Sequence, residues 1–172
     1  MVEKKADFGI KNKYDKSPFN LLYSNENPSA IKAAQFFISK GCNDWSESLR
    51  SCCNNETVNT DVISFLLDKK ADPNEPGSNE YNYDGRSALQ LLCYNKGITL
   101  DALEILLSNK ADPNFKDNDR KTSLHLIFEN ENFSLSFAST LIQNKADPNL
   151  LGKKKKIIKP KFLVFYFKLY QK

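Results

Sequence analysis

The residues of this 172-residue chain that could do chemistry are few: one histidine, His125, four cysteines (Cys42, Cys52, Cys53 and Cys93) and the acidic triplet Asp117-Asn118-Asp119. Zinc would ask for cysteines at spacings such as Cys-x2-4-Cys, and the separations here fit none of these patterns. The triplet opens like a calcium loop, but Lys121 stands where the third oxygen ligand belongs. The sequence carries no glycine-rich phosphate loop, no Gly-x-Ser-x-Gly elbow and no His-Glu-x-x-His helix. We therefore expect no catalytic residue, no metal and no cofactor, and read the chain as a non-enzyme. Asn55-Glu56-Thr57 and Asn132-Phe133-Ser134 match glycosylation acceptors. The start, Val2 to Asp7, has no apolar stretch of a secretory signal, so these acceptors carry little weight, and reduced thiols in the cytosol or nucleus are expected.

A content of 40 % hydrophobic and 27 % charged residues suits one soluble domain able to bury a core. The net charge of +4 is unevenly spread. Residues 153–172 hold eight lysines and no acid, which leaves residues 1–152 with 17 basic against 21 acidic side chains. A nucleic-acid binder should carry its basic stripe on the folded part, so no nucleic-acid partner is expected.

Three copies of one string punctuate the chain: Lys70-Ala71-Asp72-Pro73-Asn74, Lys110-Ala111-Asp112-Pro113-Asn114 and Lys145-Ala146-Asp147-Pro148-Asn149. Fainter copies begin at Lys5 and Lys40, so successive copies lie 35, 30, 40 and 35 residues apart. A second anchor recurs as Ser17-Pro18-Phe19-Asn20, Glu47-Ser48-Leu49-Arg50, Ser87-Ala88-Leu89-Gln90 and Thr122-Ser123-Leu124-His125. From each anchor to the Ala or Gly of the next string is always 24 residues, while the connectors measure 11, 6, 16 and 11. Constant blocks with variable connectors are what packed helices and surface loops produce.

Within each block the third, sixth and seventh residues are apolar, for example Leu89, Leu92 and Cys93, which predicts a short amphipathic helix. The ninth is always asparagine (Asn25, Asn55, Asn95, Asn130), read as a stop in left-handed conformation. Four residues later Ser29, Asn59, Thr99 and Ser134 read as N-caps of a second helix, with staples at Val58/Ile63, Ile98/Leu103 and Phe133/Ala138. One such unit cannot stand alone. Ordering some 35 residues costs roughly 1–2 kcal/mol each, whereas each buried apolar side chain returns about 1.5–3 kcal/mol. Stability must come from stacking the units on one another.

Thr122-Ser123-Leu124-His125-Leu126 resembles the Thr-Pro-Leu-His motif of ankyrin repeats, and Ala111-Asp112-Pro113-Asn114 resembles their Ala-Asp-Val-Asn turn. The resemblance covers about residues 5–150 and implies an all-α solenoid of about four stacked antiparallel helix pairs with projecting β-hairpin-like loops. The pairs are expected at about 17–40, 47–70, 87–110 and 122–145, within one domain spanning 1–150. It also implies that His125 hydrogen-bonds a neighbouring turn, and that Cys53 and Cys93, which share one repeat position, are buried thiols. There are departures. The second hairpin, residues 41–46, is short, with Trp45 filling the gap of the missing finger; the third is extended by residues 75–79. The link between the helices is about two residues long in excess, and the second anchor lacks Thr, Pro and His.

The function so implied is non-catalytic binding of another protein through hairpin tips and first helices, in the manner of an adaptor, with no small-molecule substrate. Counting back from each anchor places Lys13, Tyr14 and Lys16 on the first finger, and Tyr81, Tyr83, Asp84 and Arg86 on the third. Lys116, Asn118, Asp119 and Lys121 fall on the fourth. Tyrosine and arginine are common interface residues. The basic, aromatic tail, residues 151–172, breaks the pattern, as a degenerate cap or irregular segment. A second reading makes the chain a peripheral membrane-surface protein tethered to anionic surfaces by the Lys/Phe-rich stretch 153–172, and a third makes it a fragment of a larger ankyrin-repeat protein without independent function.

Overall fold

The computed structural model describes residues 12, 13, 30–39, 41, 44–77 and 84–153. Among them are seven helices and no strand: α1 (Ala30–Ser39), α2 (Trp45–Cys53), α3 (Thr60–Asp68), α4 (Ala88–Tyr94), α5 (Leu100–Ser108), α6 (Ser123–Glu129) and α7 (Leu135–Gln143). The pairs α2/α3, α4/α5 and α6/α7 each pack internally. Across repeats, α2 lies on α4 and α4 on α6, while α1 lies on α3, α3 on α5 and α5 on α7. First helices therefore form one layer and second helices another. One continuous core runs between them, built from Leu49, Ile63, Leu66, Leu89, Leu92, Leu103, Leu106, Leu124 and Ile127, all fully buried.

The caps explain the helix limits. Asn59 accepts from the Val62 N–H at 3.1 Å, Thr99 from Ala102 at 3.2 Å and Ser134 from Ser136 at 3.3 Å, each satisfying an otherwise orphan donor. Ser29 lies outside the described residues. Val58, Ile98 and Phe133, each just ahead of its cap, sit against the core or within it. Trp45 opens α2 and is half-buried against the same core.

The helix stops differ from expectation. Asn95 (φ −75°, ψ 133°) and Asn130 (φ −73°, ψ 131°) do end their helices, but in extended conformation, and Asn54 rather than Asn55 caps α2. Asn25 lies outside the described residues. The left-handed residues are the lysines of the repeated string, Lys70 (φ 70°), Lys110 (φ 67°) and Lys145 (φ 69°). Each sits in a Schellman motif. At the end of α5, for example, Ala111 N–H donates to Leu106 O at 3.0 Å and Lys110 N–H to Leu107 O at 3.1 Å. Gly41 (φ 90°), the second residue of the copy that begins at Lys40, has positive φ after α1.

Two asparagine ladders join the repeats. Asn74 donates to Lys110 O at 2.9 Å and accepts from Asp112 N–H at 2.7 Å; Asn114 repeats this with Lys145 O and Asp147 N–H. In the links, the Asn95 amide donates to Cys53 O and Asn55 O, and the Asn130 amide to Cys93 O and Asn95 O. The extended backbone of Asn95 and Asn130 accompanies side chains turned back onto the preceding repeat.

Candidate partner-binding hairpins

The fourth hairpin is held by one buried carboxylate. Asp117 Oδ1 accepts from the N–H groups of Asp119 (2.9 Å) and Lys121 (2.8 Å), and the Asp117 N–H donates to Lys121 O at 3.1 Å. Arg120 closes the turn with φ 59°. The same hairpin joins the third, because Asn118 N–H donates to Asp84 O at 2.8 Å. Asp84 (φ 49°) and Gly85 (φ 71°) make that turn, and a side chain on Gly85 would meet Asn118 Oδ1 at 2.5 Å. The resulting platform is rigid in its backbone and bears Asp84, Lys116, Asn118 and Asp119 exposed.

Arg86 is largely taken up by contacts within the protein, while Lys121, partly exposed, pairs with Glu129 at the surface. The Arg86 guanidinium stacks 4.6 Å from the centre of the Tyr94 ring, and its Nε stands 3.5 Å from Asp117 Oδ2, with only 13 % of the side chain exposed. Lys121 Nζ donates to Glu129 Oε2 at 2.7 Å, and its carbonyl accepts from Gln90 at 2.7 Å. Lys13 is exposed in a turn. Tyr14, Lys16, Tyr81 and Tyr83 lie outside the described residues. Sequence reasoning passed over Tyr94, half exposed beneath Arg86, and the exposed Arg120. Tyr94 had a signal, since it is an aromatic at the block position that Asn54 and Glu129 fill in neighbouring repeats.

The fourth residue of each block does a structural task. Arg50 bonds Glu47 and reaches Glu75 O at 2.9 Å; Gln90 accepts from Ser87 N–H and donates to Phe115 O at 2.9 Å. His125 Nδ1 accepts from Thr122 N–H at 3.1 Å, capping its own helix, but its buried Nε2 has no partner. Among the described residues its Nε2 thus makes no bond to a neighbouring turn of the kind the resemblance implies. Burial holds this imidazole below the ordinary histidine range.

Cys52, Cys53 and Cys93 are buried and unpaired by disulfides, and Cys42 lies outside the described residues. Burial pushes the Cys52 thiol up to about 11 and the Cys93 thiol to about 12, so both stay protonated and poor in nucleophilic character. Among the described residues no group of three His, Cys, Asp or Glu side chains could hold a metal ion, and no helix is long and apolar enough to cross a membrane.

Residues 49–152, more than half of the chain, match the family model for ankyrin repeats in three copies. No curated protein matches the chain.

Proposed function

We infer, because this chain belongs to the ankyrin-repeat family, that it acts as an adaptor: it binds one partner protein across its hairpin turns and first helices and catalyses nothing. Ankyrin repeats are in general protein interaction modules and typically non-catalytic. The observation that carries the finer reading is the fused platform of the third and fourth hairpins. Its backbone is pinned by Asp117 and by the Asn118 to Asp84 bond, while Asp84, Lys116, Asn118 and Asp119 point to solvent. A surface already ordered loses little conformational freedom on binding. Arg86 contributes by holding Tyr94 in place, and Tyr81 and Tyr83 fall in the same finger, where their alternation in a polar stretch suits contact with a partner. Lys13, Tyr14, Lys16 and Lys121 complete the proposed surface on the first and fourth fingers.

The test is affinity capture from cytosol of the native source with the full chain as bait, beside a variant carrying Tyr81→Ala, Tyr83→Ala and Lys116→Ala. The expected result is a partner captured by the native chain and lost with the variant, whose unfolding temperature is unchanged. Equal capture by both would remove these residues from the interface.

A further inference from the structure

We propose that Lys70, Lys110 and Lys145 form one binding row, which takes an acidic segment of a partner protein in polyproline II conformation, one carboxylate to each repeat. The row lies just past the ends of the second helices and uses none of the residues of the hairpin platform, so either reading can fail alone.

The first observation is strain. All three lysines hold positive φ (70°, 67° and 69°), a region that crowds the Cβ of any residue but glycine. The chain holds residues better suited to the place. Gly41 has positive φ after α1, and Asn109 and Asn144, of a type that tolerates this conformation, directly precede Lys110 and Lys145 at φ −92° and −93°. A cation does suit the end of a helix, where unpaired carbonyl groups point outward. One residue earlier it would serve that end equally well without strain. A strained side chain kept in three successive repeats points to a surface that uses it.

The second observation is availability. Each of these lysines is exposed, and none forms a side-chain hydrogen bond or ion pair with another described residue. Asp72, Asp112 and Asp147, two residues on, turn a carboxylate oxygen into their own turns instead, where it accepts from the N–H of Asn74, Asn114 and Asn149 at 2.9, 2.8 and 2.8 Å. The last turns of α5 and α7 hold no acid.

The third is spacing. Because α3 packs on α5 and α5 on α7, successive lysines stand about one helix-packing distance apart, roughly 8–10 Å. A polyproline II segment turns once in three residues and rises about 3.1 Å per residue, so every third side chain returns to the same side after about 9 Å. A β-strand would turn its third side chain to the opposite face. The backbone of the row is also pinned, since Lys110 O and Lys145 O accept from the side-chain amides of Asn74 and Asn114, one repeat before, at 2.9 and 2.8 Å. Carboxylates at every third position of a stiff segment thus meet a row already in register, and little freedom is lost on binding.

The probe is a peptide of repeated Glu-Pro-Pro units, beside one of the same composition with all its glutamates at one end, titrated at low salt into the full chain and followed by amide shifts in the NMR spectrum. Two triple variants accompany the native chain. Lys70→Gly, Lys110→Gly and Lys145→Gly relieve the strain and so keep the fold, while Lys70→Gln, Lys110→Gln and Lys145→Gln remove only the charge. The expected result is shifts at all three lysines together, with binding about tenfold weaker or more for both variants and for the peptide with grouped glutamates. Equal affinity of the native chain and the variants overturns the proposal. So does equal affinity for the two peptides, which would make the attraction one of bulk charge, and so do shifts confined to residues 153–172 or to a single repeat. Single-stranded RNA that shifts the same three lysines and displaces the peptide overturns it in favour of a nucleic-acid surface.

Discussion

At Gly97 the backbone of one repeat's link presses on the next: a Cβ there would stand 2.0 Å from the carbonyl oxygen of Glu56. Neither chain can yield without breaking the Asn95 bonds beside it. Gly97→Ala is expected to destabilise the fold by about 2–3 kcal/mol, measured as a drop in the urea midpoint; an unchanged midpoint would mean that the links part freely. His125 offers a pH test. Burial lowers its proton affinity, and Lys121 adds to this while Glu129 and Asp117 oppose it. The folded protein thus takes up the proton less readily than the unfolded chain, whose histidine titrates near pH ~6.5. Its contribution is intact above that value and is lost as the pH falls through it toward the folded value. His125→Gln, which places there the side chain of Gln90, removes the titration. Between about pH 7 and about pH 5 the native unfolding temperature should fall further than the variant's; parallel slopes would show that His125 titrates alike in both states.

Among the elements, helix starts and helix stops were unequally legible. The N-caps could be read because Asn59, Thr99 and Ser134 bond to N–H groups two or three residues away, a local act that depends on residue type and spacing. The stops could not. Asparagine serves equally well in a left-handed cap or as a donor to distant carbonyls, and Asn95 and Asn130 do the second because the preceding repeat presents two acceptors. The left-handed place falls to lysine, which the local sequence argues against, since L-residues with a Cβ are strained there by roughly 1–2 kcal/mol. Lys110→Gly relieves that strain and returns part of it as unfolded-state entropy, so we expect a net stabilisation of about 0.5–1 kcal/mol in chemical denaturation. A loss of stability would mean that the lysine side chain makes a contact worth more than its strain.

For the whole molecule, the cohesion of the stack lies in layers shared between neighbours. Leu92, fully buried in α4, stands in the middle of the core. Leu92→Ala should cost about 2–5 kcal/mol. It should also lower together the transition seen by the single tryptophan, Trp45 in α2, and the transition of total helix seen by circular dichroism. Separate midpoints would show that the repeats unfold independently. Of the binding platform, the sequence showed which fingers exist and which residues they carry. It did not show that Arg86 turns inward onto Tyr94 and Asp117, because the stacking ring and the carboxylate come from different repeats. By itself the sequence determined the repeat, its helix-pair layout and its family, since motif, period and apolar spacing are properties of one stretch of chain. The tertiary structure alone decided which polar side chains bind across repeats, which backbone positions turn left-handed and which charged groups face solvent. The first of these depends on what stands opposite a residue, which the chain supplies from some 25 to 42 positions away.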